Sequence, residues 1–186
     1  MRYLAIILCV FFVMVVSVSA DPGVGGALKV GIDFAGNHEV SALGLSADTD
    51  VGSGIEFGGE LYAQPNRNLD IGIGALYQLP REQSDFPGEF SFLPVYGVIR
   101  LKTDLQPVNP YIIGQLGYGF FSGDDDYAGP FELSGGLYWG GGAGVIIKDR
   151  FIVEGIYTQN NGEAEWMGIT GDIVYSKFTL NLGINF

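Results

Sequence analysis

The sequence predicts an all-β fold, an eight-stranded antiparallel transmembrane β-barrel, and three observations carry that reading. The chain's last segment alternates at period two: Phe178, Leu180, Leu182, Ile184 and Phe186 share one wholly apolar face, opposite Lys177, Thr179, Asn181, Gly183 and Asn185. Seven further segments of strand character precede it, bounded by turn chemistry. Composition is the third: 30 glycines and a mean hydropathy of +0.26 accompany a net charge of −12, a combination seldom met in acidic proteins that live in water. No stretch after residue 20 is long enough for a membrane helix, so a membrane span must be built of strands. Only a closed barrel pairs every backbone N–H and C=O within hydrocarbon.

The amino terminus reads as an address. Met1-Arg2 is a short positive start, Tyr3 to Val16 is uncharged and nearly all apolar, and Val18-Ser19-Ala20 places small residues before a cut ahead of Asp21. Residues 1–20 are therefore expected to be a cleaved signal peptide and residues 21–186 one barrel domain. Cys9, the sole cysteine, follows Leu8, where a lipoprotein signal needs a small residue. The mature chain then has neither lipid anchor nor disulfide.

The eight segments fall at about 27–35, 53–63, 69–79, 90–103, 110–121, 133–147, 150–159 and 173–186. The first three alternate cleanly, with Leu28, Val30, Ile32 and Phe34 against Lys29, Gly31 and Asp33 as the pattern. In the fourth, the parity of Arg100 and Lys102 also holds Phe90 and Phe92, which predicts a bulge or register change near Pro94. The sixth, with Gly135, Gly136, Gly140, Gly141, Gly142 and Gly144, is the weakest strand signal.

Connections alternate in length. Residues 36–52, 80–89, 122–132 and 160–172 are long; 64–68, 104–109 and 148–149 are short, the asymmetry of outer-membrane barrels. The long loops hold Glu39, Asp48, Asp50, Glu82, Asp85, Glu89, Asp124, Asp125, Asp126, Glu132, Glu163, Glu165 and Asp172 against Arg81 alone, nearly the whole net charge. Aromatics gather near segment ends: Phe34, Tyr77, Phe120, Phe121, Tyr138, Trp139 and Tyr157 towards the long loops, and Tyr111, Phe151 and Phe186 towards the short turns. Two interfacial girdles are expected there.

Alternation alone leaves two barrels open, a membrane barrel and a soluble lipocalin-type barrel with an apolar cavity. The polar parity holds Lys29, Asp33, Glu56, Glu60, Asp70, Arg100, Lys102, Glu154 and Lys177, four cations beside five anions among small residues. That set suits the narrow interior of eight strands, where side chains fill the lumen. No Gly-x-Trp of the lipocalins lies near the first strand. We therefore expect Lys29, Arg100, Lys102 and Lys177 to pair with Glu56, Glu60, Asp70 and Glu154.

With the end strand, the runs Asn109-Pro-Tyr-Ile-Ile-Gly-Gln-Leu-Gly-Tyr-Gly119, Gly140-Gly-Gly-Ala-Gly-Val-Ile146 and Glu154-Gly-Ile-Tyr157 resemble strands of the small OmpA/OmpX-like outer-membrane proteins, over essentially all of residues 21–186. The resemblance implies the outer membrane of a Gram-negative-type bacterium, with outer-membrane lipid and lipopolysaccharide as surroundings. It also implies that Phe178, Leu180, Leu182, Ile184 and Phe186 are read by the barrel-assembly machinery. The role implied is structural, adhesive or surface-interacting, through acidic external loops. A small channel or transporter for apolar compounds is the alternative.

Other chemistry is weakly signalled. His38, Ser84 and Asp85 could sit at an external rim as in a lipid A acyltransferase-type barrel, but the charged lumen offers no acyl pocket, so no enzyme is expected. Asp124-Asp125-Asp126 matches no EF-hand loop and implies at most weak divalent-cation association. No cofactor and no resident metal are expected, and so acidic a chain is a poor ligand for nucleic acid.

Overall fold

A computed structural model describes residues 23–34, 36–42, 45–82, 89–123, 132–166 and 169–186. The strands, in chain order, are β1 (Val24–Asp33), β2 (Gly36–Ala42), β3 (Leu45–Val51), β4 (Gly54–Asn66), β5 (Leu69–Gln78), β6 (Arg81–Glu82), β7 (Glu89–Lys102), β8 (Val108–Gly123), β9 (Glu132–Ile147), β10 (Phe151–Trp166) and β11 (Ile169–Asn185). Eight of them close a ring in the order β1, β4, β5, β7, β8, β9, β10, β11, every neighbour antiparallel. The ring seals from Ala27 opposite Asn185 up to Asp33 opposite Thr179. Below those rungs, Gly26 N–H reaches Phe186 O at 2.8 Å and Phe186 N–H returns to Gly26 O at 2.9 Å. A closed ring leaves no edge strand in hydrocarbon, which is the condition for spanning with strands.

Period two sorts the side chains. Phe178, Leu180, Leu182, Ile184 and Phe186 all face outward, with Leu182 54% exposed, whereas Lys177, Thr179 and Asn181 are buried. Val30, Ile32, Ile55, Ile71, Ile73, Ile99, Ile112 and Leu116 continue the exposed apolar surface around the ring. With charge inside and hydrocarbon outside, the barrel is a transmembrane one; a water-soluble barrel has the reverse dressing. Aromatic pairs mark one interface. Phe34 and Phe178 lie 6.0 Å apart, Phe57 and Tyr77 5.5 Å, Tyr118 and Phe120 5.1 Å, and Trp139 and Tyr157 5.7 Å. These pairs sit towards the long loops, as an interfacial girdle requires. Phe121, Tyr138 and Tyr111, expected in the girdles, instead point inward and are buried. Each follows or precedes a residue that takes the outward position, and parity leaves it the lumen.

Strand length carries the sheet beyond the membrane. β10 pairs with β11 from Phe151 opposite Ile184 to Trp166 opposite Ile169. Sixteen residues at ~3.3 Å rise make a ribbon of about 50 Å, more than a ~30 Å hydrocarbon core takes up even with tilt. β1 ends at Asp33, and from Ser176 to Asp172 β11 pairs with β2 instead, which turns back as β3. The segments 36–52 and 160–172, expected as loops, therefore form much of a sheet that rises past the ring.

The bulge or register change expected near Pro94 shows on one edge of β7 only. The pairing with β8 runs without interruption from Phe90 to Lys102, while on the other edge the register moves by one residue between Ala75 opposite Val95 and Arg81 opposite Phe90. Lys102 N–H points to β5, where Asn68 O receives it at 2.7 Å, so every even position of β7, Pro94 included, turns its nitrogen towards β5. The β5 ladder stops at Ala75 opposite Val95, just short of the proline that has no N–H to give. Further irregularities fall between β9 and β10, where Asn161 lies opposite both Gly136 and Leu137, and between Ala63 and Asn66 in β4. β9, the weakest signal, is one continuous strand, and Gly144 makes room for a bulky partner. A Cβ on Gly144 would lie 2.6 Å from the Tyr111 ring.

The β9–β10 connection is a tight turn, with Lys148, Asp149 and Arg150 between the paired Ile147 and Phe151. Lys148 and Asp149 both have positive φ, 52° and 55°, and Arg150 N–H bonds Ile147 O at 3.1 Å. Positive φ at both central positions is the primed-turn conformation that matches strand twist; Asp149 tolerates it better than Lys148, and neither suits it as well as Asn-Gly. Replacing Lys148-Asp149 with Asn-Gly should stabilise the barrel by about 1 kcal/mol, read as a higher urea midpoint in lipid vesicles. An unchanged or lower midpoint would refute the turn assignment.

Candidate functional site in the barrel lumen

The inward parity of eight strands meets across a space that side chains can fill. Here it holds two ion clusters beneath a block of aromatic rings. The lower cluster centres on Glu60 of β4. One carboxylate oxygen accepts from Lys29 Nζ at 2.9 Å, Gln115 Nε2 at 3.2 Å and the Tyr96 hydroxyl at 3.3 Å; the other accepts from Arg100 Nη2 at 2.6 Å. Lys29 also bonds Glu154 at 3.0 Å, whose other donors are the Tyr111 hydroxyl at 2.9 Å and Asn181 Nδ2 at 3.2 Å. Arg100 continues to Asp70 at 3.0 Å, and Asp70 to Lys102 at 2.5 Å. The Arg100 guanidinium lies between two rings, 5.1 Å from the centroid of Tyr62 and 4.9 Å from that of Tyr111. Gly74 makes room for this packing, since a Cβ there would stand 2.7 Å from Tyr96 and 2.9 Å from Glu60.

The upper cluster is smaller. Lys177 bonds Asp33 at 2.8 Å and also Glu56; Asp33 in turn accepts from Thr179 Oγ1 at 2.5 Å and pairs with Arg81. Arg81 belongs to the short strand β6, yet its guanidinium is buried and donates to the Tyr175 hydroxyl at 2.7 Å. Each cluster is electroneutral. Lys29, Arg100 and Lys102 balance Glu60, Asp70 and Glu154 below; Lys177 and Arg81 balance Asp33 and Glu56 above. Neutrality is required because a lone buried charge costs several kcal/mol.

Tyr175 joins this level to the aromatic block. Its ring stacks on Phe92 at 5.9 Å and 9°, Phe92 stacks on Phe121 at 4.6 Å and 15°, and Phe90 meets Phe92, Phe121 and Tyr175 edge-on. Val51 and Ile173 complete the block, with Leu133 and Ala164 packed against it. The lumen, expected to be charged throughout, is thus apolar towards the long loops.

Lys29, Glu56, Glu60, Asp70, Arg100, Lys102, Glu154 and Lys177 all lie in the clusters. Two members went unpaired or unread in the sequence, Asp33 and Arg81. The signal for Arg81 was the tally itself, for four cations beside five anions leave one anion short of a partner. Ser84, Asp85, residues 1–20 and Asp124 to Asp126 lie outside the described residues, and of His38 only the backbone is described, opposite Tyr175.

Removing one member of a filled cluster leaves its partners charged and dry. Arg100→Ala should cost about 3–5 kcal/mol, and Arg81→Gln should also destabilise. The double change Arg81→Gln with Asp33→Asn should cost less than the sum of its singles, measured by urea unfolding in lipid vesicles. Additive losses would mean that Arg81 and Asp33 do not act as a pair.

No family model and no curated protein matches the sequence. Among solved structures, the outer membrane protein OprG from Pseudomonas aeruginosa aligns over 88% of this chain and 96% of its own, at 10% identity and a TM-score of 0.52. The attachment invasion locus protein Ail of Yersinia pestis aligns over 89% and 100%, at 14% identity and a TM-score of 0.49. Neisserial surface protein A aligns over 86% and 99%, at 15% identity and 0.48. At 10% identity the likeness to OprG speaks to fold alone, and with the ring, the lumen and the apolar exterior it gives this chain the fold of the small eight-stranded outer-membrane β-barrels.

Proposed function

We propose that the protein is a plugged outer-membrane barrel that acts as a structural or surface-interaction protein through its long-loop end. The filled lumen carries this reading: two neutral ion clusters and an aromatic block occupy the section that a channel would keep open. A transporter for apolar compounds would need a continuous apolar path, and the lower cluster interposes Arg100, Glu60, Lys29 and Glu154. The sheet built by β10, β11, β2 and β3 supplies a rigid platform above the ring. Purified protein in planar bilayers should show no resolved conductance steps. Steady open-channel current would overturn the plugged reading. Protease added to intact cells should cut, if anywhere, in the segments between ring strands at the long-loop end, and spare Lys148.

Delivery to the membrane follows from the chain's two ends. Residues 1–20 act as the signal peptide, and the outward face of β11 ending at Phe186 is what the assembly machinery recognises. Asn185 is a poor control for that idea because its side chain bonds Tyr62 and the Asp149 carbonyl, the latter at 3.1 Å. Phe186→Trp is a better one. Deleting Phe186 should sharply reduce outer-membrane yield and raise envelope stress, while Phe186→Trp assembles near normally. Equal yields from the deletion and the parent would remove the assembly role.

A further inference from the structure

Just beneath the aromatic block, four inward-facing residues have polar atoms with no hydrogen-bond partner among the described residues. They are Glu56 Oε1, Gln78 Oε1 and Nε2, Thr158 Oγ1, and Asn160 Oδ1 and Nδ2. None of the four residues is more than 2% exposed. They are neighbours around one level of the lumen. Gln78 is the cross-strand partner of Glu56, Glu56 bonds Lys177, Lys177 is the cross-strand partner of Thr158, and Asn160 is the next inward position along β10, between Tyr138 and Tyr175.

The level has a roof and a floor. Above it lie the rings of Phe90, Phe92, Phe121 and Tyr175. Below it the Tyr138 hydroxyl donates to Gln115 Oε1 at 2.6 Å, Gln115 donates to Glu60 at 3.2 Å, and Tyr96 packs against Tyr138 at 5.3 Å. A buried polar atom without a partner costs about 1–3 kcal/mol, and six sharing one level make a dry interior expensive.

The chemistry of the level selects its occupant. Gln78 Nε2, Asn160 Nδ2 and the Thr158 hydroxyl offer protons; Glu56 Oε1, Gln78 Oε1 and Asn160 Oδ1 need them. The occupant must donate and accept alike. Lys177 and Arg81 already balance Asp33 and Glu56, so no net charge remains to hold an ion. We propose that this level is a closed hydration chamber, a binding site for ordered water, and that the aromatic block is its barrier to bulk solvent. Water fits because it bridges two to four polar groups at a buried site, and rings above it exclude passage by dewetting. The proposal rests on the plugged reading and goes beyond it, since a lumen that passes no current can hold either a wet or a dry level, and a dry level would overturn the chamber alone.

The test is water–protein cross-relaxation by NMR on the protein in lipid nanodiscs, with the side-chain amides of Asn and Gln labelled. Long-lived water cross-peaks to Asn160 Nδ2 and Gln78 Nε2 are expected. Phe92→Ala should shorten the residence time of that water by an order of magnitude or more, while Phe120→Ala, on the lipid-facing side of β8, leaves it unchanged. Should Phe92→Ala not fold, Phe121→Leu, which removes the ring stacked on Phe92, should shorten it in the same sense. Absence of water cross-peaks in the parent would overturn the chamber, with Gln78 and Asn160 then paired to protein. Cross-peaks whose lifetime ignores Phe92 and Phe121 would overturn the barrier.

Discussion

Electroneutral packing of a narrow lumen is the constraint on which the rest of this barrel depends. Eight strands enclose room for side chains and little else, so every inward position must fit its neighbours in volume and in charge. Volume is met by pairing bulk with glycine, as Tyr111 with Gly144 and Tyr96 with Gly74. Charge is met by two separately balanced clusters, and the second balances only because Arg81 enters the lumen from β6, between two strands of the ring. A segment expected as an exposed loop thereby becomes part of the core. Its anchoring through Asp33 and Tyr175 ties β1, β6 and β11 at one level.

The apolar block above the clusters obeys the same constraint. Towards the long loops the sequence runs out of charge pairs, and the inward parity continues with Phe90, Phe92, Phe121 and Tyr175. Aromatic rings fill the section and need no charge partner, and edge-on and offset contacts among them add modestly to burial. Tyr175 serves both levels, with its ring in the stack and its hydroxyl on Arg81. The change from ions to rings along one lumen is a change in what excludes solvent, not in whether solvent is excluded.

Much of this was legible because period two is rigid. Once Phe178 to Phe186 were placed on the lipid side, Lys177 had to face inward, and the same logic placed Lys29, Glu60, Arg100 and Glu154. What stayed illegible had no period to show it. Adjacent aromatics such as Phe120 and Phe121, or Tyr138 and Trp139, look alike in sequence, and only the register decides which one meets lipid. Phe90 and Phe92 share the parity of Arg100, which suggests a bulge or register change near Pro94; the register changes only on the β5–β6 edge, and along the unbroken β8 edge an aromatic interior accounts for the shared parity. The hairpin of β2 and β3 is hidden by polarity, since Gly36–Ala42 and Leu45–Val51 carry no apolar stripe in sequence.

Lumenal balance also determines the field outside. Of the nine Lys and Arg residues, Lys29, Arg81, Arg100, Lys102 and Lys177 are spent in the interior, Arg67, Lys148 and Arg150 sit at the short turns, and Arg2 lies outside the described residues. No cation is left for the long-loop end, where Glu163 faces Asp172 across the β10–β11 pair and both are exposed. Like charges directly opposite on a sheet are destabilising, and a ribbon that tolerates them beyond the ring is held by its backbone ladder and by the barrel beneath. The resulting surface potential is single-signed. It repels polyanions, attracts cationic groups, and weakens with ionic strength over a Debye length of about 8–10 Å. The polarity of the exposed end is therefore a consequence of how the buried one is packed.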